Sequence, residues 1–240
     1  MRGSRRAVAR ATELAFLGRF TEALASLQTI SSEQSLWVRA YVASSRGEFS
    51  RASALAEPLA ASARSREARV AAAITLASVL RQTSRHGAAE RWDRVALAHA
   101  QTDVERAHAL IGLAADAIGR RRVSACESRV AEAEALGLDD WRVQVRLDWV
   151  RVERAMTIGR ARDGLTPGRR AVRHSRDADA LRHIAKSRLF YGVALADAGF
   201  TNAAQRELSA SLRGAQACGA GRVARVARTV LEQKATQAAG

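Results

Sequence analysis

The sequence predicts an all-α fold, an α-solenoid of about six antiparallel helix hairpins closed by a C-terminal capping helix, in one domain over residues 1–240. Three observations predict it. A short corner recurs as Gly18-Arg19-Phe20-Thr21-Glu22-Ala23, Gly47-Glu48-Phe49-Ser50-Arg51-Ala52 and Gly199-Phe200-Thr201-Asn202-Ala203-Ala204. In each, a glycine beyond a helix end takes the left-handed conformation without a Cβ clash, the aromatic packs into the corner, and Thr or Ser caps the next helix. Alanine and arginine, both strong helix formers, are abundant, and only Pro58 and Pro167 interrupt. Small residues follow the corners at a steady beat: Ala23, Ala52, Ala89, Ala125, Gly164 and Ala204 lie 29, 37, 36, 39 and 40 residues apart. Two helices and two corners need that much chain.

Taken in order, the first helix runs from about Ser4 to Leu17 and buries Val8, Ala11, Leu14, Ala15 and Phe16 at helical spacing. Its partner runs from Thr21 to about Ile30. Ser31 with Gln34 three positions on is a capping-box pattern, opening a helix with Leu36, Trp37, Val38, Ala40, Tyr41 and Val42 that Gly47 ends. Ser50 starts the next, which Pro58 bends or shortens. Ser65 to Gln82 is a long amphipathic segment, Ser84-Arg85-His86-Gly87 the corner, and Ala88 to Ala100 the return. Thr102 with Glu105 is a second capping box, for a helix ending at Gly119; its partner, Val123 to Leu136, stops at Gly137.

Asp139 to about Gly159 is apolar on more than one face, as in a sandwiched helix. Gly159 to Gly168 is the most broken stretch, the one place for a weak domain break, and Thr166-Pro167 reads as an N-cap followed by proline at the first helical position. From Asp179 a strong helical pattern returns, then Gly199, then Ala203 to Cys218. The last helix, about Gly221 to Ala235, is the cap.

Charge and cysteine content narrow the function. Net charge is +15, yet of 39 basic residues only Lys186 and Lys234 are lysines, and arginine with so much alanine reads as the coding bias of a GC-rich genome. The arginines are spread through nearly every segment, which fits solvated helix faces with Glu or Asp a turn away; the alternative is a nucleic-acid partner whose phosphates they neutralise. No apolar run is long enough to span a bilayer, and the basic start, Met1 to Arg10, has no apolar signal core. Cys126 and Cys218 form no disulfide or zinc pattern, so the expectation is a cytoplasmic protein without metal or cofactor.

The repeat resembles the tetratricopeptide-repeat (TPR) superfamily in a divergent form. Leu76-Ala77, Ala89 and Ala96, and Tyr191-Gly192, Ala204 and Leu208, fit its large-small, alanine and large pattern best, while proline at repeat ends is almost everywhere missing. The resemblance implies a right-handed superhelix of TPR-like hairpins. A narrower resemblance lies in Leu195-Ala196-Asp197-Ala198-Gly199-Phe200 with Leu208, Leu212, Ala217-Cys218-Gly219-Ala220 and Val223-Ala224-Arg225-Val226-Ala227. It is similar to the helical sensor region of MalT- and LuxR-type bacterial transcriptional regulators, and implies effector or partner sensing. No phosphate-loop motif and no DNA-reading segment accompany it in this sequence.

No catalytic constellation emerges. His86, His99, His108, His174 and His183 lack metal-ligand spacing, Cys126 reads as a small packed residue, and Asp139-Asp140 as helix-start capping. Gly159-Arg160-Ala161-Arg162-Asp163-Gly164 through Gly168-Arg169-Arg170 lacks the lysine and hydroxyl of a phosphate loop and reads as a basic corner. What remains is a surface. In TPR-like arrays the first helix of each hairpin lines the concave groove, and the alanine register places Trp37, Tyr41, Arg81, Gln82, Arg146, Trp149, Lys186 and Asp197 there. Against this, Trp37 and Trp149 also read as ordinary core. The expectation is a non-enzymatic scaffold binding a protein or peptide of acidic character, with nucleic acid the alternative, no membrane partner, and oligomeric state open, a homodimer included.

Overall fold

The computed structural model describes the backbone of residues 2–239 and the side chains of 3–234. Among the described residues there are thirteen α-helices, a single 3-10 turn and no strand. They pack as two compact units, Met1–Val143 and Gln144–Gly240.

The first unit holds four hairpins: α1 (Arg2–Leu17) with α2 (Phe20–Ala25), α3 (Glu33–Arg46) with α4 (Phe49–Ser62), α5 (Arg66–Gln82) with α6 (His86–His99), and α7 (Asp103–Gly119) with α8 (Val123–Glu134). The first helices also touch in series, α1 to α3 to α5 to α7, while α4 and α6 each bridge two of them. The second unit holds most of α9 (Trp141–Thr157), the 3-10 turn Ala161–Gly164, α10 (Leu165–Asp177), the hairpin α11 (Leu181–Asp197) with α12 (Thr201–Ala217), and α13 (Gly221–Ala239), which packs on both α11 and α12.

The corner is a backbone device, repeated with little variation. Gly18, Gly47 and Gly199 have φ of 82°, 86° and 88°. The residue after each donates its N–H to the carbonyl five positions back: Arg19 to Leu14 at 2.9 Å, Glu48 to Ala43 at 2.9 Å, Phe200 to Leu195 at 2.8 Å. This is the Schellman closure, which satisfies orphan carbonyls at the helix end. The same bonds recur after Ser84, Arg121, Gly159, Asp179 and Gly219, all with positive φ. Contrary to expectation, Thr21, Ser50 and Thr201 do not cap: the capping positions are Arg19, Glu48 and Phe200, without side-chain cap bonds, so each hydroxyl residue lies inside its helix. Nor does every corner aromatic pack in; Phe20 is buried, Phe49 half-buried and Phe200 exposed.

Five residues beyond Gly18, Gly47, Ser84, Arg121, Gly159 and Gly199 comes a small one: Ala23, Ala52, Ala89, Cys126, Gly164 and Ala204, all buried. Cys126 therefore replaces Ala125 in the register, because the corner turns on Arg121, while Gly119 is still helical. Seven residues before the same six stand Ala11, Ala40, Ala77, Ala114, Val152 and Gly192, buried as well. These two small rows let paired helices approach closely; a Cβ on Gly192 would come within 2.8 Å of Leu208 Cγ.

Other boundaries shift by a residue or two. The first capping box is Ser32 with Ser35, not Ser31 with Gln34, whereas Thr102 with Glu105 forms as expected. Pro58 neither ends nor shortens α4, which runs on to Ser62. Pro167 falls third in α10, after Gly164 rather than Thr166 as the cap. Asp140 Oδ1 accepts from the N–H groups of Arg142 and Val143 at 2.9 and 3.0 Å, the expected capping role. Several arginines seal helix ends: Arg39 donates to Leu27 O at 2.7 Å and Arg69 to Ala63 O at 2.6 Å.

Candidate functional site

In the first unit the inner helices bring together an aromatic group. Phe16 of α1 lies 5.3 Å from Tyr41 and 6.0 Å from Trp37, both on α3, in edge-on contacts. The Arg142 guanidinium stacks over Phe16 at 4.0 Å, a favourable cation–π geometry. Trp37 is buried, and its Nε1 donates to Thr75 Oγ1 on α5 at 3.1 Å. Tyr41 is half-buried.

The same unit holds a buried charge network. Arg81 Nη1 donates to Asp93 Oδ2 at 2.6 Å, Asp116 Oδ2 at 2.9 Å and Gly112 O at 3.1 Å, so one guanidinium joins α5, α6 and α7. Both carboxylates are wholly inaccessible. Asp93 occupies a register that holds Leu27, Ala56 and Leu208 in other hairpins, and Gly112 is glycine where a Cβ would run into the Asp93 carboxylate. Burial depresses the Arg81 pKa, but Asp93 and Asp116 together outweigh it and hold it above its ordinary value. Burial pushes Asp116 up to about 6 against the pull of Arg81. His86, near Asp116, is held below its usual value by burial first and then by the charges of Arg81 and Arg120.

At the surface end of α6, Glu90 collects three arginines. Its Oε1 accepts from Arg94 Nη2 at 2.8 Å, and its Oε2 from Arg120 Nη1 at 2.6 Å and Arg122 Nη2 at 2.7 Å. The Arg94 hydrogen bond, opposed by burial and reinforced by Arg122 and Arg120, takes the Glu90 carboxyl down to about 2.

In the second unit, Trp149 of α9 stacks between His183 at 5.5 Å and Phe190 at 5.7 Å, both on α11, with Lys186 Nζ 4.1 Å from the centre of its ring. Trp149 Nε1 donates to Ser187 Oγ at 2.9 Å. Asp148, almost fully buried, accepts from Arg151 at 2.7 Å and Arg170 at 2.6 Å. A depression of about 680 Å³ opens between α11 and α12, lined by Arg188, Asn202, Gln205, Arg206, Ser209 and Arg213.

Of the residues the sequence assigned to the groove, the structure joins Trp37 with Tyr41 and Trp149 with Lys186. Trp37, Arg81 and Trp149 spend their polar atoms inside the fold. Gln82 is half-buried and bonds back to Ser78 O at 3.3 Å, Arg146 is half-buried, and exposed Asp197 faces Lys234 of α13 at 3.8 Å. Sequence reasoning missed Phe16, Arg142, Phe190, Asp93 and Asp116. Phe16 had a signal: it stands two residues before its corner, as Gln82 and Asp197 do before theirs.

The hairpin register, the shared corner and the two rows of small residues define a TPR-like helical-repeat protein. The solved apo form of RapI, a protein of this fold, superposes with a TM-score of 0.52 over 98% of this chain and 72% of its own, at 10% sequence identity, a likeness of fold. No family model and no curated protein sequence matches the chain. Among the described residues no helix is long and apolar enough to cross a membrane.

Proposed function

We propose that the chain is a non-enzymatic scaffold that binds a protein or peptide on the first helices of its hairpins. In this reading it is a regulatory sensor module, of the kind that the C-terminal resemblance to MalT- and LuxR-type regulators implies, and its partner is acidic. The observation that carries the reading is how the arginines are used. In both units arginines pair with carboxylates, Arg66 with Glu105 at 2.7 Å, Arg129 with Glu132 at 2.7 Å, Arg160 with Asp163 at 2.7 Å and Arg170 with Asp148 at 2.6 Å. A phosphate backbone needs guanidinium groups held ready along a track. Tyr41, half-buried on a first helix, is of a type enriched among interface hot spots, and Lys186 on another supplies a cation for an acidic partner.

The test is capture of partners by the full chain from native-host lysate, with and without nuclease. A protein partner that survives nuclease and is lost from a Tyr41→Ala, Lys186→Glu variant with native circular dichroism is the expected result. Loss of every partner after nuclease, with binding falling linearly in log salt, overturns it in favour of nucleic acid.

A further inference from the structure

We propose that the corner Arg120-Arg121-Arg122, with Arg94 and Glu90, is a preformed clamp for a carboxylate-rich segment of the partner protein. The proposal rests on the scaffold reading and names where and by what chemistry the partner is held. Glu90 fixes three guanidinium groups within 2.6 to 2.8 Å of its two oxygens, through one nitrogen of each. A guanidinium carries five N–H donors in a planar fork, so each keeps donors for a second carboxylate. One negative charge against three positive leaves a local excess, and the side chains of Arg120 and Arg122 remain 45% and 42% exposed. Guanidinium groups already held in place lose less entropy when an anion arrives.

Arg121 is an independent observation. It takes φ 58°, the left-handed conformation that glycine supplies at Gly18, Gly47, Gly159 and Gly199 and that Ser84 and Asp179 take at two further corners. An arginine is disfavoured there relative to glycine, and of the three non-glycine corners this is the one that carries a cation. What the arginine adds is an exposed third cation between Arg120 and Arg122. The clamp is one corner wide, which suits a short run of Glu or Asp better than a phosphate backbone.

The experiment measures fluorescence anisotropy of labelled hexaglutamate with the purified full chain, beside hexaglutamine and a thymidine hexanucleotide. Hexaglutamate should bind and hexaglutamine should not. Arg120→Ser with Arg122→Ser should weaken hexaglutamate about tenfold or more, and Arg206→Ser with Arg213→Ser on α12 less than about threefold. Arg121→Gly should raise the melting temperature and still weaken binding. Equal losses from the two arginine pairs, tighter binding of the hexanucleotide, or unchanged affinity in Arg121→Gly would each overturn the clamp. Should the double variant fail to fold, the Arg121→Gly result decides. Partner capture that persists undiminished in the double variant overturns the clamp and leaves the scaffold standing, whereas absence of any protein partner overturns the scaffold while the peptide result still reports on the clamp.

Discussion

The two units solve one packing problem alike and a second one in opposite ways. In each, a tryptophan on a first helix donates its indole N–H to a hydroxyl 38 residues further on, Trp37 to Thr75 and Trp149 to Ser187. In each, a carboxylate is buried in the helix stack. In the first unit a single guanidinium serves two inaccessible carboxylates, Asp93 and Asp116; in the second, one carboxylate, Asp148, is served by Arg151 and Arg170, whose side chains stay 28% and 40% exposed. The first network is closed, so losing its cation leaves two buried carboxylates facing each other without their counter-charge. The second is open, and either arginine can turn to water. Similar repeats thus differ in how much one substitution can cost.

The sharpest way to break this contrast is Arg81→Met against Asp148→Asn. Removing one partner of a buried pair costs about 3–5 kcal/mol, because the remaining charge is uncompensated. Arg81→Met should lose at least that at pH 7, and less near pH 5, where the stranded carboxylates take up protons. Asp148→Asn keeps an acceptor and exposes its arginines to solvent, so about 1 kcal/mol is expected. Denaturant midpoints by circular dichroism give the totals, and hydrogen exchange over α6–α7 and α9–α10 assigns each loss to its unit. Equal costs would mean the two networks are energetically alike.

A second prediction concerns pH within the closed network, where Arg81, Asp93, His86 and Glu90 face Asp116. The Asp116 carboxyl is raised from 3.8 to about 6 in the folded state, so the folded chain binds the extra proton between those values. Its contribution to stability therefore falls as pH rises through that window and is fully lost above it. Glu90 has the opposite sign. Its carboxyl is lowered from 4.5 to about 2, so its stabilisation is present above 4.5 and lost as pH falls toward 2. Asp116→Asn should flatten the decline between pH 4 and 6 relative to wild type in midpoint-versus-pH curves. Parallel curves would show that Asp116 does not carry it.

The same contrast explains what was legible in the sequence. Gly18, Gly47, Gly137, Gly159 and Gly199 announced their corners because glycine is the residue that positive φ favours. Arg121 announced nothing: an arginine carries no sign of that conformation, so the helix end was placed at the nearby Gly119 and the register slipped from Cys126 to Ala125. Gly119 is small for another reason, since a Cβ there would run into the His86 ring. The run Ser31-Ser32-Glu33-Gln34 offered two frames for a capping box, and only backbone geometry chose Ser32. For the site, register cannot give the depth of Trp37, Arg81, Trp149 and Lys186. Depth depends on how tightly the next first helix stacks, and the partners of Arg81 come from α6 and α7, which no spacing within α5 can show.

The smallest expected effect tests the part of the comparison in which the units look alike. Trp37→Phe and Trp149→Phe each remove one indole donor from a buried hydroxyl, at a cost of about 1 kcal/mol. Both hydroxyls keep another bond, Thr75 donating to Ala71 O at 2.8 Å and Ser187 sharing a proton with Ser175 Oγ at 3.0 Å. The indole of Trp149 carries an additional load, the Lys186 ammonium 4.1 Å from its centre, and tryptophan is the best ring for that contact. Trp149→Phe should therefore cost about 0.5 kcal/mol more than Trp37→Phe, and the excess should vanish in a Lys186→Met background. If the excess survives the loss of Lys186, its source is ring packing with His183 and Phe190, and the two tryptophans differ in fit instead of charge.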